Sequence, residues 1–518
     1  MLVEVNSVSV VFTFALVILV TWAWKILNSI WFKPKKLERY LRSQGFKGNP
    51  YRLWVGDLKD MSRITHQAHS KPIKLHDDIL PHVLPYHHHI VQKYGKKSFI
   101  WNGVTPRVNV LDPDMIRDIL FKYNTFRKPN INPLARLLIG GLFAQEGVEW
   151  AKHRKIINPA FNLDKLKNML PLMYMSCSEV LKKWEILVQE KGSCEVDVSP
   201  YLANLTSDVI SRTAFGSSYE EGKRIFQLQK EQTQLTFQVT RSNYIQGWRF
   251  LPTKVNKRMK EISRETQAIM RDLMTSREKK MKVGEKSEDL LGIMMESNIK
   301  EIQENGNKRD VGLTDDQVIE ECKLFYFAGQ ETTSNLLVWT MIMLGIHQNW
   351  QDRARQEVFQ FFGNNKPDFE GLNRLKTLTM ILNEVLRIYP PGTIIVRSTY
   401  EETKLGEITL PPGVDLVLNV VLVHHDTELW GDDAKDFNPE RFSNGVAKAA
   451  KKPNSFFPFS LGPRICVGQI FAMMEAKLAI ALILQNFKFE VSPSYAHAPF
   501  PSLTLKPRFG AQMILNKI

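Results

Sequence analysis

Phe459-Ser-Leu-Gly462-Pro-Arg464-Ile-Cys466-Val-Gly468 puts a lone cysteine in a glycine-flanked loop directly ahead of a long apolar helical stretch, Ile470–Leu484. A thiolate needs positive potential to stay deprotonated. Arg464 and the amide dipoles at the start of that helix are placed to supply it. Gly462 and Gly468 let the backbone come close, so that amides can point at the sulfur with no Cβ in the way. This is how a protein presents a thiolate to haem iron, where it pushes electron density onto the metal and favours O–O cleavage. A buried structural cysteine is the commoner fate of a lone Cys. The fixed positions Phe459, Gly462, Arg464, Cys466 and Gly468 would, however, coincide by chance on the order of 10⁻⁷ per start point, which decides against that reading.

The segment resembles the haem-binding signature of the cytochrome P-450 family. The resemblance implies Cys466 as the iron ligand of haem b (iron protoporphyrin IX), with Phe459, Arg464 and Gly468 at the cofactor. Upstream, Ala328-Gly329-Gln330-Glu331-Thr332-Thr333 lies in an apolar pattern from Gln317 to about Ile346, and Thr314-Asp-Asp-Gln317 reads as a capping box that starts a helix. A mid-helix glycine costs about 1 kcal/mol relative to alanine, so Gly329 asks for a reason. Gly329 and Thr332 share a face, and the missing side chain opens a groove where a hydroxyl can face a ligand. The other reading is a glycine for helix packing and a threonine bonded back to its own helix. The resemblance implies a dioxygen site here, with Thr332 as hydroxyl partner and Glu331 as acid in a proton relay. O–O cleavage needs such protons in a water-poor site.

Glu384-Val-Leu-Arg387 is an i, i+3 pair on a helix expected from about Leu375 to Ile388, ended by Pro390-Pro391. On a surface such a pair means little. With Asn438-Pro439-Glu440-Arg441-Phe442 downstream it is similar to the family's buried Glu–Arg–Arg cluster, Arg441 being the third member. Trp150-Ala-Lys-His-Arg154 spans one helical turn, and by the same resemblance Trp150, Arg154, Arg397 and Arg464 bind the haem propionates. Planar guanidinium groups suit carboxylates through paired hydrogen bonds.

Val5 to Trp24 is free of charge and about long enough to cross a ~30 Å hydrocarbon core. Glu4 precedes it, whereas Lys25, Lys33, Lys35, Lys36 and Arg39 follow. The positive-inside rule leaves the N-terminus lumenal and the body cytosolic. A secretory signal would carry positive charge before the run and small residues after it; Trp22, Trp24 and Trp31 read as interface anchors. The expected organisation is a membrane anchor over residues 1–33 and a cytosolic haem-thiolate domain over 34–518, single-pass in the endoplasmic reticulum. The sequon Asn204-Leu-Thr206 is then expected to stay unmodified: endoglycosidase treatment should leave the mass unchanged, and a glycan there would place the body in the lumen.

The hydrophobic fraction of 43% suffices for a large core, and no linker or repeat divides it. Cys177, Cys194 and Cys322 have neither disulfide nor zinc spacing and fit packing roles in a reducing compartment. His87-His88-His89 cannot all face one metal from a helix or strand. The formal charge of +15 raises nucleic acid as a partner, but no binding motif accompanies it. An anionic membrane surface and an acidic electron donor explain the charge better. The resemblance implies an NADPH-dependent flavoprotein reductase docking near the cysteine loop.

The fold is expected to be mainly α with minor β sheets, the P-450 fold. Helices are predicted at Asp112–Lys122, Leu163–Gln189, Leu202–Phe215 and Ser263–Lys282, and strands at Ser98–Trp101, Arg107–Leu111, Ile394–Ser398 and Asp415–Val421. Phe32-Lys-Pro-Lys-Lys, Gln44-Gly-Phe-Lys-Gly-Asn-Pro-Tyr-Arg, Glu321-Cys-Lys-Leu-Phe-Tyr-Phe-Ala-Gly-Gln-Glu-Thr-Thr and Pro493-Ser-Tyr-Ala-His-Ala-Pro-Phe are similar to a plant microsomal subgroup. That subgroup includes secologanin synthase, deoxyloganate hydroxylase, and triterpenoid and gibberellin oxidases. It implies a membrane-anchored monooxygenase that uses dioxygen and NADPH-derived electrons to oxidise a terpenoid. Two other readings stand beside it: a reductase-independent enzyme that rearranges hydroperoxides, whose relatives typically lose the acid–threonine pair, and a non-enzymatic haem- or terpenoid-binding protein of the same fold.

Overall fold

The computed structural model describes residues 7–189, 192–216, 219–240, 248–285 and 288–518. These divide into two compact units: Met1–Ser70, Leu84–Pro129 and Ile395–Asn419 make the first, and Lys71–Val83, Asn130–Ile394 and Val420–Ile518 the second.

The first unit begins with helix α1 (Ser7–Leu27), whose first charge is Lys25 in the last turn. Phe12, Val17, Trp22 and Trp24 are all exposed along it. It is long and apolar enough to cross a membrane. It runs three residues beyond the expected Trp24; Glu4 and Val5 lie outside the described residues. The same unit holds a five-stranded sheet of β1 (Phe99–Asn102), β2 (Thr105–Val110), β3 (Phe126–Arg127), β4 (Ile395–Thr399) and β5 (Asp415–Leu418), ordered β1-β2-β5-β4-β3. Only β2 and β5 pair in parallel, with Arg107 opposite Asp415. The expected strand through Val421 is too long. The Asn419 amide donates to Val417 O, ending the ladder, and the next residues turn helical. His87 is buried with Nδ1 2.8 Å from Asn109 Oδ1, and burial lowers its pKa to about 4. It is a neutral core histidine.

The second unit is helical, with α2 (Gly147–Ile157), α3 (Leu163–Gln189), α4 (Val198–Phe215), α5 (Lys254–Lys282), α6 (Asp315–Ile346), α7 (Lys376–Ile388), α8 (Val420–His424) and α9 (Gln469–Asn486). The capping box forms as its letters require: Thr314 Oγ1 accepts from Gln317 N and Gln317 Oε1 from Thr314 N. Helix α4 starts four residues before the expected Leu202, because Asp197 caps it and Pro200 falls in the first turn, where no donor is needed. Helix α5 starts at Lys254 for a similar reason, with Thr253 as its cap. Helix α6 is the axis of this unit and packs on α4 and α9. At Gly345 a Cβ would lie 2.6 Å from Met513 Cε, so this glycine lets α6 press against the sheet formed by Phe487–Val491, Gln512–Lys517 and Ser193–Asp197. A hairpin of β6 (Pro499–Pro501) and β7 (Leu505–Pro507) completes the elements used below. Cys177 and Cys322 are buried and free, and burial pushes both thiols up, which makes them inert. Asn204 is exposed on α4, while Thr206 is buried, its hydroxyl donating to Ala203 O and Gln330 O.

Candidate active site

The cysteine loop is shaped by two left-handed residues, Ser460 (φ 67°) and Gly462 (φ 72°). They fold it back so that Cys466 N donates to Phe459 O at 2.9 Å and Ile465 N to Gly462 O at 3.0 Å. Gly462 therefore answers to a positive φ. Gly468 has an ordinary φ of −89°, and a Cβ there would sit 4.0 Å from Cys466 Sγ, an ordinary contact. Its contribution is the backbone amide, which donates to the sulfur.

The charge at the sulfur differs from expectation. Arg464 stacks on the Trp150 ring at 4.6 Å, donates to Gln145 O, and pairs with Glu146 Oε2 at 3.0 Å. Its charge is thus answered by Glu146. The guanidinium that acts on Cys466 is Arg154, held in place because Nη1 donates to Ile465 O at 2.8 Å. Burial pushes the Cys466 thiol above its ordinary value, while the Gly468 amide and Arg154 pull it back. Trp150 and Arg154 share α2, which is clamped to α6 by the buried pair His153 Nδ1 and Glu321 Oε1, 2.5 Å apart. Arg397 lies in the first unit on β4, buried, with Nη1 donating to Val396 O.

Along α6 the residues from Glu321 to Tyr326 and from Thr333 to Gly345 are buried, yet the turn between them, 327–332, is half-exposed in the middle of the helix. Cys466 also carries accessible surface although protein surrounds it closely enough to raise its pKa. A single sulfur with an amide and a cation beside it, and an accessible turn in an otherwise buried helix, fit a haem with one thiolate ligand. Within that turn the gap at Gly329 is taken by Ile210, whose Cδ1 would lie 2.8 Å from a Cβ there. Thr332 Oγ1 donates back to Ala328 O at 2.6 Å. Both match the packing alternative for this stretch. Glu331 Oε1 accepts from Thr504 Oγ1 at 2.8 Å.

Glu384, Arg387 and Arg441 come together. Arg387 grips both Glu384 oxygens at 2.7 Å, and Arg441 Nε stands 3.5 Å from Glu384 Oε1. Arg387 also donates to the carbonyls of His424, Ala434 and Asp436. His424, which the motifs do not mark, extends this cluster: its Nε2 accepts from Phe457 N at 3.1 Å, so its proton is on Nδ1, donated to Arg387 O at 3.1 Å. Burial and the Arg387 charge hold its pKa well below the ordinary value, which keeps this tautomer neutral. The ion cluster is thereby tied to the segment leading into the cysteine loop. Only an unusual buried-polar pairing could have flagged His424 in the letters, and Glu146 looked like any loop carboxylate.

Residues 81–511 match the family model described as Cytochrome P-450. Three plant relatives align over nearly the whole chain. Cytochrome P-450 CYP72A219 of Panax ginseng is 58% identical, over 97% of this chain and 98% of its own. 7-deoxyloganic acid hydroxylase of Catharanthus roseus is 51% identical, over 99% and 100%. Secologanin synthase 1 of the same plant is 50% identical, over 98% and 97%. A solved structure, retinoic acid bound cyanobacterial CYP120A1, superposes with a TM-score of 0.74 at 22% identity, over 90% of this chain and 97% of that one, and shares the fold.

Proposed function

The chain belongs to the cytochrome P-450 family of haem-thiolate monooxygenases, and from that premise we propose that it hydroxylates or further oxidises a plant terpenoid, with electrons from NADPH. The observation that carries the reaction class is Cys466 set between the Gly468 amide and Arg154. The substrate class rests on relatives whose names state hydroxylation of 7-deoxyloganic acid and synthesis of secologanin, both iridoids.

In this reading Cys466 would hold the iron of haem b, with Phe459 and Gly468 beside it. Trp150, Arg154 and Arg464, all in the second unit, would hold the propionates. Cysteine-ligated haem, when bound, supplies an electron-rich iron that activates dioxygen for insertion into a C–H bond. Arg154 and the Gly468 amide favour the anionic form of the sulfur and offset part of the burial that disfavours it. Glu331 takes up protons at the half-exposed turn it shares with Thr332, which orients them once its hydroxyl leaves Ala328 O. Gly329 leaves room for Ile210 to pack against that turn. Glu384, Arg387 and Arg441 hold the cysteine side of the core. Helix α1 anchors the protein in the endoplasmic reticulum membrane with its body cytosolic, where a flavoprotein reductase reaches it.

Microsomes holding the enzyme, a plant reductase and NADPH are to be offered iridoid glucosides, triterpene acids and gibberellins, with products read by mass. An NADPH-dependent gain of oxygen or loss of hydrogen on one scaffold is expected. Turnover of a fatty-acid hydroperoxide without NADPH, with no such product, would replace this reading with the reductase-independent one.

A further inference from the structure

Three positions four residues apart on α6, Glu331, Asn335 and Trp339, form one stripe, and each bonds to the strand β7 or the residue before it. Glu331 Oε1 accepts from Thr504 Oγ1 at 2.8 Å, Asn335 Nδ2 donates to Thr504 Oγ1 at 2.9 Å, and Trp339 Nε1 donates to Leu505 O at 3.0 Å. The same residue is tied a second time, Leu505 N donating to Pro391 O at 3.0 Å. Thr504 is buried, and its hydroxyl has one proton. Because Asn335 Nδ2, which also donates to Glu331 O at 2.8 Å, can only donate, it takes a lone pair of that oxygen and leaves the proton to Glu331. The direction of the bond is therefore set by its neighbours. Lys506 Nζ lies 3.6 Å from the same Glu331 oxygen, and 40% of its side chain is exposed against 17% for Glu331. Consecutive helix residues point about 100° apart, so Glu331 faces the hairpin while Thr332 faces elsewhere.

We propose that Thr504 and Lys506 are positioning residues for Glu331, and that the β6–β7 hairpin forms the solvent-side end of the proton path. This rests on the reading of Glu331 as proton carrier. Thr504 holds the carboxylate in one orientation, and Lys506 puts an exposed, water-exchanging ammonium next to it. The hairpin lies 173 residues from Glu331 in sequence, so neither residue is marked by the proton-relay motif.

The test compares Thr504→Val, Thr504→Ser, Lys506→Met and Glu331→Gln in the full-length, haem-loaded protein. In resting protein without turnover, hydrogen exchange across residues 499–507 should quicken in Thr504→Val and stay near wild type in Thr504→Ser. During turnover, Thr504→Val should lower product formed per peroxide released on the order of tenfold, the loss of one bond to a charged group. Lys506→Met should lower it less, and Thr504→Ser should restore it. Thr504→Val added to Glu331→Gln should change nothing further, since the two act as one unit. Faster exchange with an unmoved product-to-peroxide ratio would make Thr504 merely structural and overturn the proposal. A Glu331→Gln variant with a wild-type ratio would instead remove the proton-carrier reading itself, and this proposal with it.

Discussion

Cys466→Ser will leave a folded protein that has lost the red-shifted carbon monoxide band of a thiolate-ligated haem and at least about a thousandfold of its turnover. A serine hydroxyl does not ionise near neutral pH, and no arrangement of Arg154 and the Gly468 amide can supply the electron density that sulfur gives iron. The backbone has no reason to change. The loop is built from Phe459 O, Gly462 O and two left-handed residues, none of which uses the sulfur. Far-ultraviolet dichroism and the melting temperature should therefore stay near wild type while the reduced carbon monoxide spectrum changes. A variant that keeps the wild-type band would remove Cys466 as ligand.

Glu384→Ala or Arg387→Ala should yield protein without haem, and in smaller amounts. Both side chains are completely buried; Glu384→Ala leaves Arg387 with no carboxylate, and Arg387→Ala leaves Glu384 only the Asn438 amide and the more distant Arg441. Breaking such a pair from one side costs about 3–5 kcal/mol, against a total stability of about 5–15 kcal/mol for a domain. Arg387→Ala also leaves the carbonyls of His424, Ala434 and Asp436 without their donor. Through His424 that loss reaches Phe457, nine residues before Cys466. Arg387→Lys should fail nearly as badly, because one ammonium cannot span two carboxylate oxygens and three carbonyls. The readout is haem bound per folded chain; full occupancy in either alanine variant would reduce the cluster to ordinary packing.

Much of the helical scaffold was legible because its signals are local. Thr314 and Gln317 cap α6 from three residues apart, and Asp112 caps Pro113–Phe121 from the adjacent position. Errors came where a short polar side chain overrode an apolar pattern, as when Asn419 ended a strand that Val420 and Val421 would have continued. The Glu384–Arg387 spacing was legible as a pair, but the letters do not show that both are buried or what else Arg387 holds.

At the site, residue identity and loop register follow from the sequence: one cysteine ahead of an apolar helix, a glycine where φ is positive, an acid followed by a threonine in mid-helix. Which charge meets which partner was decided by the tertiary structure. Arg464 and Arg154 are equally cationic as letters, yet Glu146 and Trp150 claim the first and leave the second to act on Cys466. Glu331 and Thr332 are neighbours in the chain, yet one is held by Thr504 and the other by Ala328. Helix propensity and capping act over a few residues, whereas electrostatics and hydrogen bonding act over a few ångströms. Only the folded chain determines which distant residues come that close.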